Sequence, residues 1–180
     1  MPATDAPTAP GELELVRAFV NTLDLEDGVD QLADPASWSA WADGLGIPEP
    51  ASKAELARLR ELREALRAGL LANHDRAPLP AHARQSLDEV LLWSRARPVL
   101  TDAGIALEVG GAGARALAGK VVAIVGHALA DGTWSRLKAC RDDTCRWAFY
   151  DRSRSRTGQW CSMEVCGNRN KQARWRERQA

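Results

Sequence analysis

All four cysteines of this 180-residue chain fall between positions 140 and 166. They come as two pairs, Cys140 with Cys145 and Cys161 with Cys166; each pair encloses four residues, and fifteen lie between the pairs. Zinc takes four soft ligands in a tetrahedron, and two close pairs brought together by a turn of chain supply them. The alternatives are two disulfides, four unrelated thiols or a redox pair. A disulfide scaffold belongs to small secreted chains with cysteines spread along them, whereas the 139 residues before Cys140 contain none. Neither pair has the two-residue spacing of a thioredoxin-type motif. The pattern is that of a local metal clip, with one structural zinc held by Cys140, Cys145, Cys161 and Cys166. Four thiolates leave no position open for water, so metal-assisted hydrolysis is not expected.

A hydrophobic fraction of 45% suffices for a core. The start, MPATDAPTAP, has neither the basic segment nor the apolar run of a secretory signal. The richest apolar stretch, Val121 to Val125, is cut short by Gly126 and His127, well below the ~20 residues of a membrane helix. The expectation is a soluble, cytoplasmic protein with no membrane partner. Formal net charge is zero but unevenly placed. From Cys140 onward ten Arg and Lys face five Asp and Glu, a balance of +5; the preceding residues hold fourteen against nineteen, a balance of −5. Four thiolates on one zinc bring the tail's excess nearer to about +3, a modest footprint for a polyanion.

Periodicity predicts a mostly helical amino-terminal part. Residues 1–10, rich in Pro, Ala and Thr, read as a disordered tail. Leu13, Val16, Phe19, Val20 and Leu23 share one face of a helix over about 11–23. Residues 24–34 are acidic and loop-like. Asp34-Pro35 opens a second helix, cap then first position, with Trp38, Trp41 and Leu45 as its stripe and Gly46 at its close. Ser52 and Glu55 form a capping box for the longest helix, lined by Leu56, Leu59, Leu62, Leu66 and Leu70. Its Arg58, Arg60, Arg63 and Arg67, offset by Glu55, Glu61 and Glu64, read as a solvated flank. A turn over 73–80, a helix over 83–95 and a strand pair joined by Asp102-Ala103-Gly104 follow. Gly111, Gly113 and Ala116 fit a phosphate-loop pattern, but no parallel strand with an acidic end follows, so a Gly-rich turn into a helix over 114–130 is favoured. A short helix capped by Thr133 leads toward Cys140.

Nothing in the chain supports an enzyme. His74, His82 and His127 are scattered, and there is no Ser-His-Asp order, Walker loop or paired metal-binding histidine. Within the cysteine module, residues 147–150 have strand character, 151–158 turn, and Gln159-Trp160 returns, predicting a hairpin between two metal-binding corners. Ser162 caps a helix over about 163–178 with Cys166 in its first turn. Knuckle, hairpin and helix make the treble-clef layout.

At these residues the chain resembles a known family. Trp160-Cys161-Ser162-Met163, Cys166-Gly167-Asn168-Arg169, Lys171 and Arg174 resemble the CGNR zinc finger, as does Phe149-Tyr150-Asp151-Arg152-Ser153-Arg154 before them. Phe19-Val20-Asn21-Thr22 and Leu32-Ala33-Asp34-Pro35 resemble the ABATE domain that precedes this finger in bacterial proteins. The resemblance implies a stress-responsive transcription regulator, with a mixed α/β domain that binds an unidentified small-molecule ligand and a treble-clef finger that binds DNA. One departure stands out: the family's Arg-rich stretch before the Trp-Cys is here Thr157-Gly158-Gln159, which removes positive charge from the loop.

On a helical wheel started at Cys166, Lys171, Arg174 and Arg178 fall at about 140°, 80° and 120°, a basic stripe facing away from the metal, with Asn168 and Trp175 beside it and Ala173 and Glu177 on the metal side. Arg169 lies closer to the zinc, able either to brace the knuckle or to touch DNA. With Arg152, Arg154 and Arg156 on the loop, these residues form the candidate DNA surface: arginine for guanine or phosphate, asparagine for adenine, tryptophan for stacking. The fold class expected is α+β: a mostly helical domain with a short β-hairpin over 11–138, then a treble-clef finger over 139–180. The functional expectation is a zinc-dependent DNA-binding regulator. Its rivals are a small-molecule sensor propped by a structural finger, and an RNA- or protein-docking finger.

Overall fold

The computed structural model describes residues 6–102 and 104–179. Helix α1, Leu13–Val20, buries Leu13, Val16, Phe19 and Val20. It is shorter than its apolar stripe predicts, because Leu23 already belongs to a strand. Strands β1, Leu23–Asp24, and β2, Val29–Asp30, pair antiparallel where an acidic loop was expected. Asp34 Oδ1 accepts from the backbone N–H groups of Ala36 and Ser37, which fixes the start of α2, Pro35–Asp43. Trp38 is fully buried and donates its indole N–H to the Glu49 carbonyl. Leu45 falls beyond the helix and is exposed, so the predicted stripe ends at Trp41.

Helix α3, Lys53–Ala72, starts with the Ser52–Glu55 capping box and buries all five leucines of its stripe. Of the four arginines expected on a solvated flank, Arg58 is exposed and Arg60 half-buried, but Arg63 and Arg67 are not solvated. Arg63 and Arg67 are 3% and 5% exposed. Arg63 pairs with Asp30, while Arg67 reaches the Val20 carbonyl on α1 and the Arg146 carbonyl in the cysteine module. Helical spacing shows that these arginines share a face, but not that other chain segments lie over it.

After α3 a tight turn at Asn73–Asp75 leads to α4, Ala81–Trp93. Strands β3, Arg97–Thr101, and β4, Gly104–Glu108, pair antiparallel as expected. Ala103, part of the predicted joining tripeptide, lies outside the described residues. Helix α5, Gly113–Asp131, is the central helix, burying Leu117, Val121, Ile124, Val125 and Ala128 against α1, α3 and α4. Among the described residues α5 alone is long and apolar enough to cross a membrane by length and composition, but its apolar face is packed in the core. Gly119 permits that packing: a Cβ there would stand 2.5 Å from Val109 and 2.7 Å from the Ser94 Cβ.

A short 3₁₀ turn, Thr133–Arg136, followed by the extended strand β5, Leu137–Ala139, stands where a short helix capped by Thr133 was expected. Its partner is β6, Ala148–Tyr150, with Leu137 opposite Tyr150. The strand at 148–150 thus pairs upstream, around the first cysteine pair. The predicted return at Gln159-Trp160 makes one backbone bond, from the Arg141 N–H to the Gln159 carbonyl. Eight residues separate β6 from either candidate, so loop length does not decide, and the fully buried β5 prevails over exposed Gln159. Of the expected disordered tail, residues 1–5 lie outside the described residues, while residues 6–8 run along the module and Ala9 packs into the main core. Ala6 packs among the cysteines, and the Pro7 carbonyl accepts from the Tyr150 N–H.

Candidate metal centre and basic helix

The four thiols converge. Cys140 follows β5 directly, and Cys145 sits in the Asp142–Arg146 turn before β6. Asp142 shapes that turn by accepting from the Thr144 N–H and hydroxyl. Cys161 precedes Ser162, whose hydroxyl caps a single wide π turn, Met163–Gly167, that carries Cys166. All four sulfurs are buried and lie within 4.8 Å of one another. Cys145 and Cys161 are 3.5 Å apart, and Cys161 and Cys166 3.7 Å. Disulfide sulfurs stand ~2.05 Å apart, whereas ligands at ~2.3 Å on a tetrahedron lie roughly 3.8 Å apart. The spacing fits a metal and not a bond. Phe149, Trp147 and Trp160 pack around the cluster.

The electrostatics show why such a group needs a cation. Hydrogen bonds from the Cys145 and Cys161 thiols, with backbone N–H groups of Cys161 and Asp142, bring the Cys140 thiol down to about 3. That thiolate then pushes Cys145 and Cys161 up, and burial raises Cys166, with the neighbouring sulfur charges adding to it. Close, buried thiolates oppose one another's ionisation, and a divalent ion at their centre would offset that cost.

Polar side chains outside the cysteine pattern hold the module in place. Lys138 and Asp151, 1% and 4% exposed, form an ion pair at 2.8 Å. Lys138 also donates to the carbonyls of Arg156 and Gly158, and Asp151 accepts from Ser153 and the Gly158 N–H. Burial pushes the Asp151 carboxyl up, but these hydrogen bonds outweigh it and hold it at about 2. Asn21 brackets Ala148, accepting from its N–H at 2.7 Å and donating to its carbonyl at 3.0 Å. Asn73 donates to the carbonyls of Trp134 and Leu137, and His74 Nε2 donates to that of Ala139. A lone lysine between apolar Leu137 and Ala139 was the one hint in the sequence, since a charge within a buried strand demands a partner.

Two family models match this arrangement in chain order. Residues 13–133 match ABATE, described as "Putative stress-induced transcription regulator". The chain belongs to the ABATE family. Residues 136–179 match the CGNR zinc finger. No curated protein matches the chain. Asn21, within the ABATE match, thus grips the CGNR finger strand, and Asp34, in the same match, caps α2.

The residues expected to touch DNA fall in three places. Arg152 donates to the Thr8 carbonyl and hydroxyl. Arg154 and Arg156 line a cleft against the ABATE domain. The others lie on or beside α6, Asn168–Glu177. Asn168 donates back to the Glu164 carbonyl, and Arg169 pairs with Glu26 and Asp142 and donates to Thr144. Arg169 therefore braces the finger on the ABATE domain, and the Glu26 contact raises its pKa. Lys171, Arg174 and Arg178 are exposed, and none has an ion-pair partner among the described residues. Ala173 and Glu177, expected on the metal side, are exposed too. The wide turn at Met163–Gly167 shifts the phase of α6 from a wheel started at Cys166, and the helix leaves the body before it could bury a face.

Proposed function

We propose that this ABATE–CGNR protein is a zinc-dependent, DNA-binding transcription regulator, not an enzyme, with one structural zinc on Cys140, Cys145, Cys161 and Cys166 in a treble-clef finger. One observation carries the reading: α6 buries no residue, and every residue from Lys171 to Gln179 is exposed. A helix that is polar all round contributes little to a core. This one carries Lys171, Arg174, Arg176 and Arg178 against Glu177, with Trp175 58% exposed among them. A protruding basic helix of ten residues suits the major groove, with arginine on phosphate or guanine.

Arg169 and Asn168 are tied to protein partners, so they orient the helix more than they read bases. Lys171, Arg174 and Arg178 make the phosphate contacts. The test is a salt series of duplex binding on the full zinc-loaded protein with Lys171→Ala, Arg174→Ala and Arg178→Ala. Each contact removed should lower the slope of log affinity against log salt by about one unit. Unchanged affinity and slope in the triple variant, with zinc retained, would assign α6 to another partner. A preference for single strands would favour an RNA-binding finger.

A further inference from the structure

A cleft of about 530 Å³ opens between the ABATE domain and the finger, and three arginines line it from two sides. Arg76 comes from the turn after α3, and Arg154 and Arg156 from the finger loop. No acidic residue lines it, and among the described residues none of the three guanidinium groups has an ion-pair or hydrogen-bond partner. Each arginine stands on a clamped rim. The Arg76 turn is held by Asn73, whose amide donates at 2.8 Å to both Trp134 and Leu137. The loop of Arg154 and Arg156 is held by Lys138, which donates to the Arg156 carbonyl at 2.7 Å, and by Asp151. Arg76 and Arg156 both hold left-handed backbones, with φ of 53° and 55°, conformations that a non-glycine residue keeps only where its surroundings enforce them. The floor is apolar, with Leu79, Leu129 and Trp134.

We infer that this cleft is a binding site for an organic phosphate, with Arg76, Arg154 and Arg156 on the phosphate oxygens and the apolar floor under the body of the molecule. Three unpaired guanidinium groups on rigid supports match a polyanionic oxygen cluster, which Arg recognises through paired N–H donors. The volume is that of a small-molecule site, and a nucleoside diphosphate has both the charge and the planar body. Because one arginine belongs to the ABATE domain and two to the finger, the ligand would pin the two together. Arg154 and Arg156 are then committed to this site instead of the DNA surface. The inference does not rest on DNA binding, since its primary readout is a small phosphate.

The experiment is calorimetric titration of the full zinc-loaded protein with inorganic pyrophosphate and with a nucleoside diphosphate, paired with a duplex DNA salt series. Saturable binding should weaken about tenfold or more in Arg76→Ala and in Arg154→Ala, as for loss of a charge-assisted hydrogen bond. The exposed Arg76 side chain makes no contact that the fold needs, so the melting temperature without ligand should not move. A DNA salt slope untouched by Arg76→Ala assigns the site to a free phosphate. A slope lowered by about one unit, with no pyrophosphate binding, would overturn the inference and assign Arg76 to the DNA backbone. No pyrophosphate binding and no effect of Arg76→Ala on DNA would overturn the inference.

Discussion

Lys138 Nζ lies 2.8 Å from Asp151 Oδ2, and both side chains are almost fully enclosed. The pair joins β5 to the loop after β6 and completes its bonding with two carbonyls and two backbone N–H groups. Removing one partner leaves a buried charge alone. Lys138→Ala should therefore cost about 3–5 kcal/mol of stability, whereas a double replacement of both residues by apolar ones should cost much less. Urea unfolding of the zinc-loaded protein measures both. The depressed Asp151 carboxyl, at about 2, contributes stability that is full above the unfolded value near 3.8 and lost as pH falls toward 2. The difference in melting temperature between wild type and Asp151→Asn should shrink across that window.

Metal analysis of the protein purified under reducing conditions should find one zinc per chain. Cys166→Ser should lose it and melt the finger first, because metal binding supplies much of a small module's folding free energy. Two disulfides and no metal in protein purified without reductant would refute the centre.

Asn21 satisfies both backbone groups of Ala148, across 127 residues of chain. Asn21→Ala leaves two buried polar groups unpaired, at about 1–3 kcal/mol each. Amide exchange should quicken at Ala148 by more than at the centre of α5.

Gly119→Ala should destabilise even though alanine is the better helix former by roughly 0.5–1 kcal/mol. The new Cβ meets Val109 at 2.5 Å and Ser94 at 2.7 Å, and Ser94 is wholly buried with no room to retreat. Overpacking of this kind costs about 1–3 kcal/mol. A rise in melting temperature would show that β4 and the end of α4 yield easily.

The sequence alone determined whatever depends on local chemistry. Asp34-Pro35 and Ser52–Glu55 set helix starts because a cap is satisfied within four residues. The leucine stripe of α3 and the apolar face of α5 named a large part of the core, and cysteine spacing named the four thiols that converge. Tertiary structure decided what crosses long stretches of chain. It buried Arg63 and Arg67, which periodicity placed in solvent, because α1, β2 and the finger supply acceptors that lie far away in sequence. It paired β6 with β5 and not with the equally near Gln159-Trp160, since β5 is buried throughout whereas Gln159 is exposed. It also divided one basic stretch among the ABATE domain, the interdomain cleft and the free face of α6, because like charges in sequence have no common destination until partners and burial assign each one.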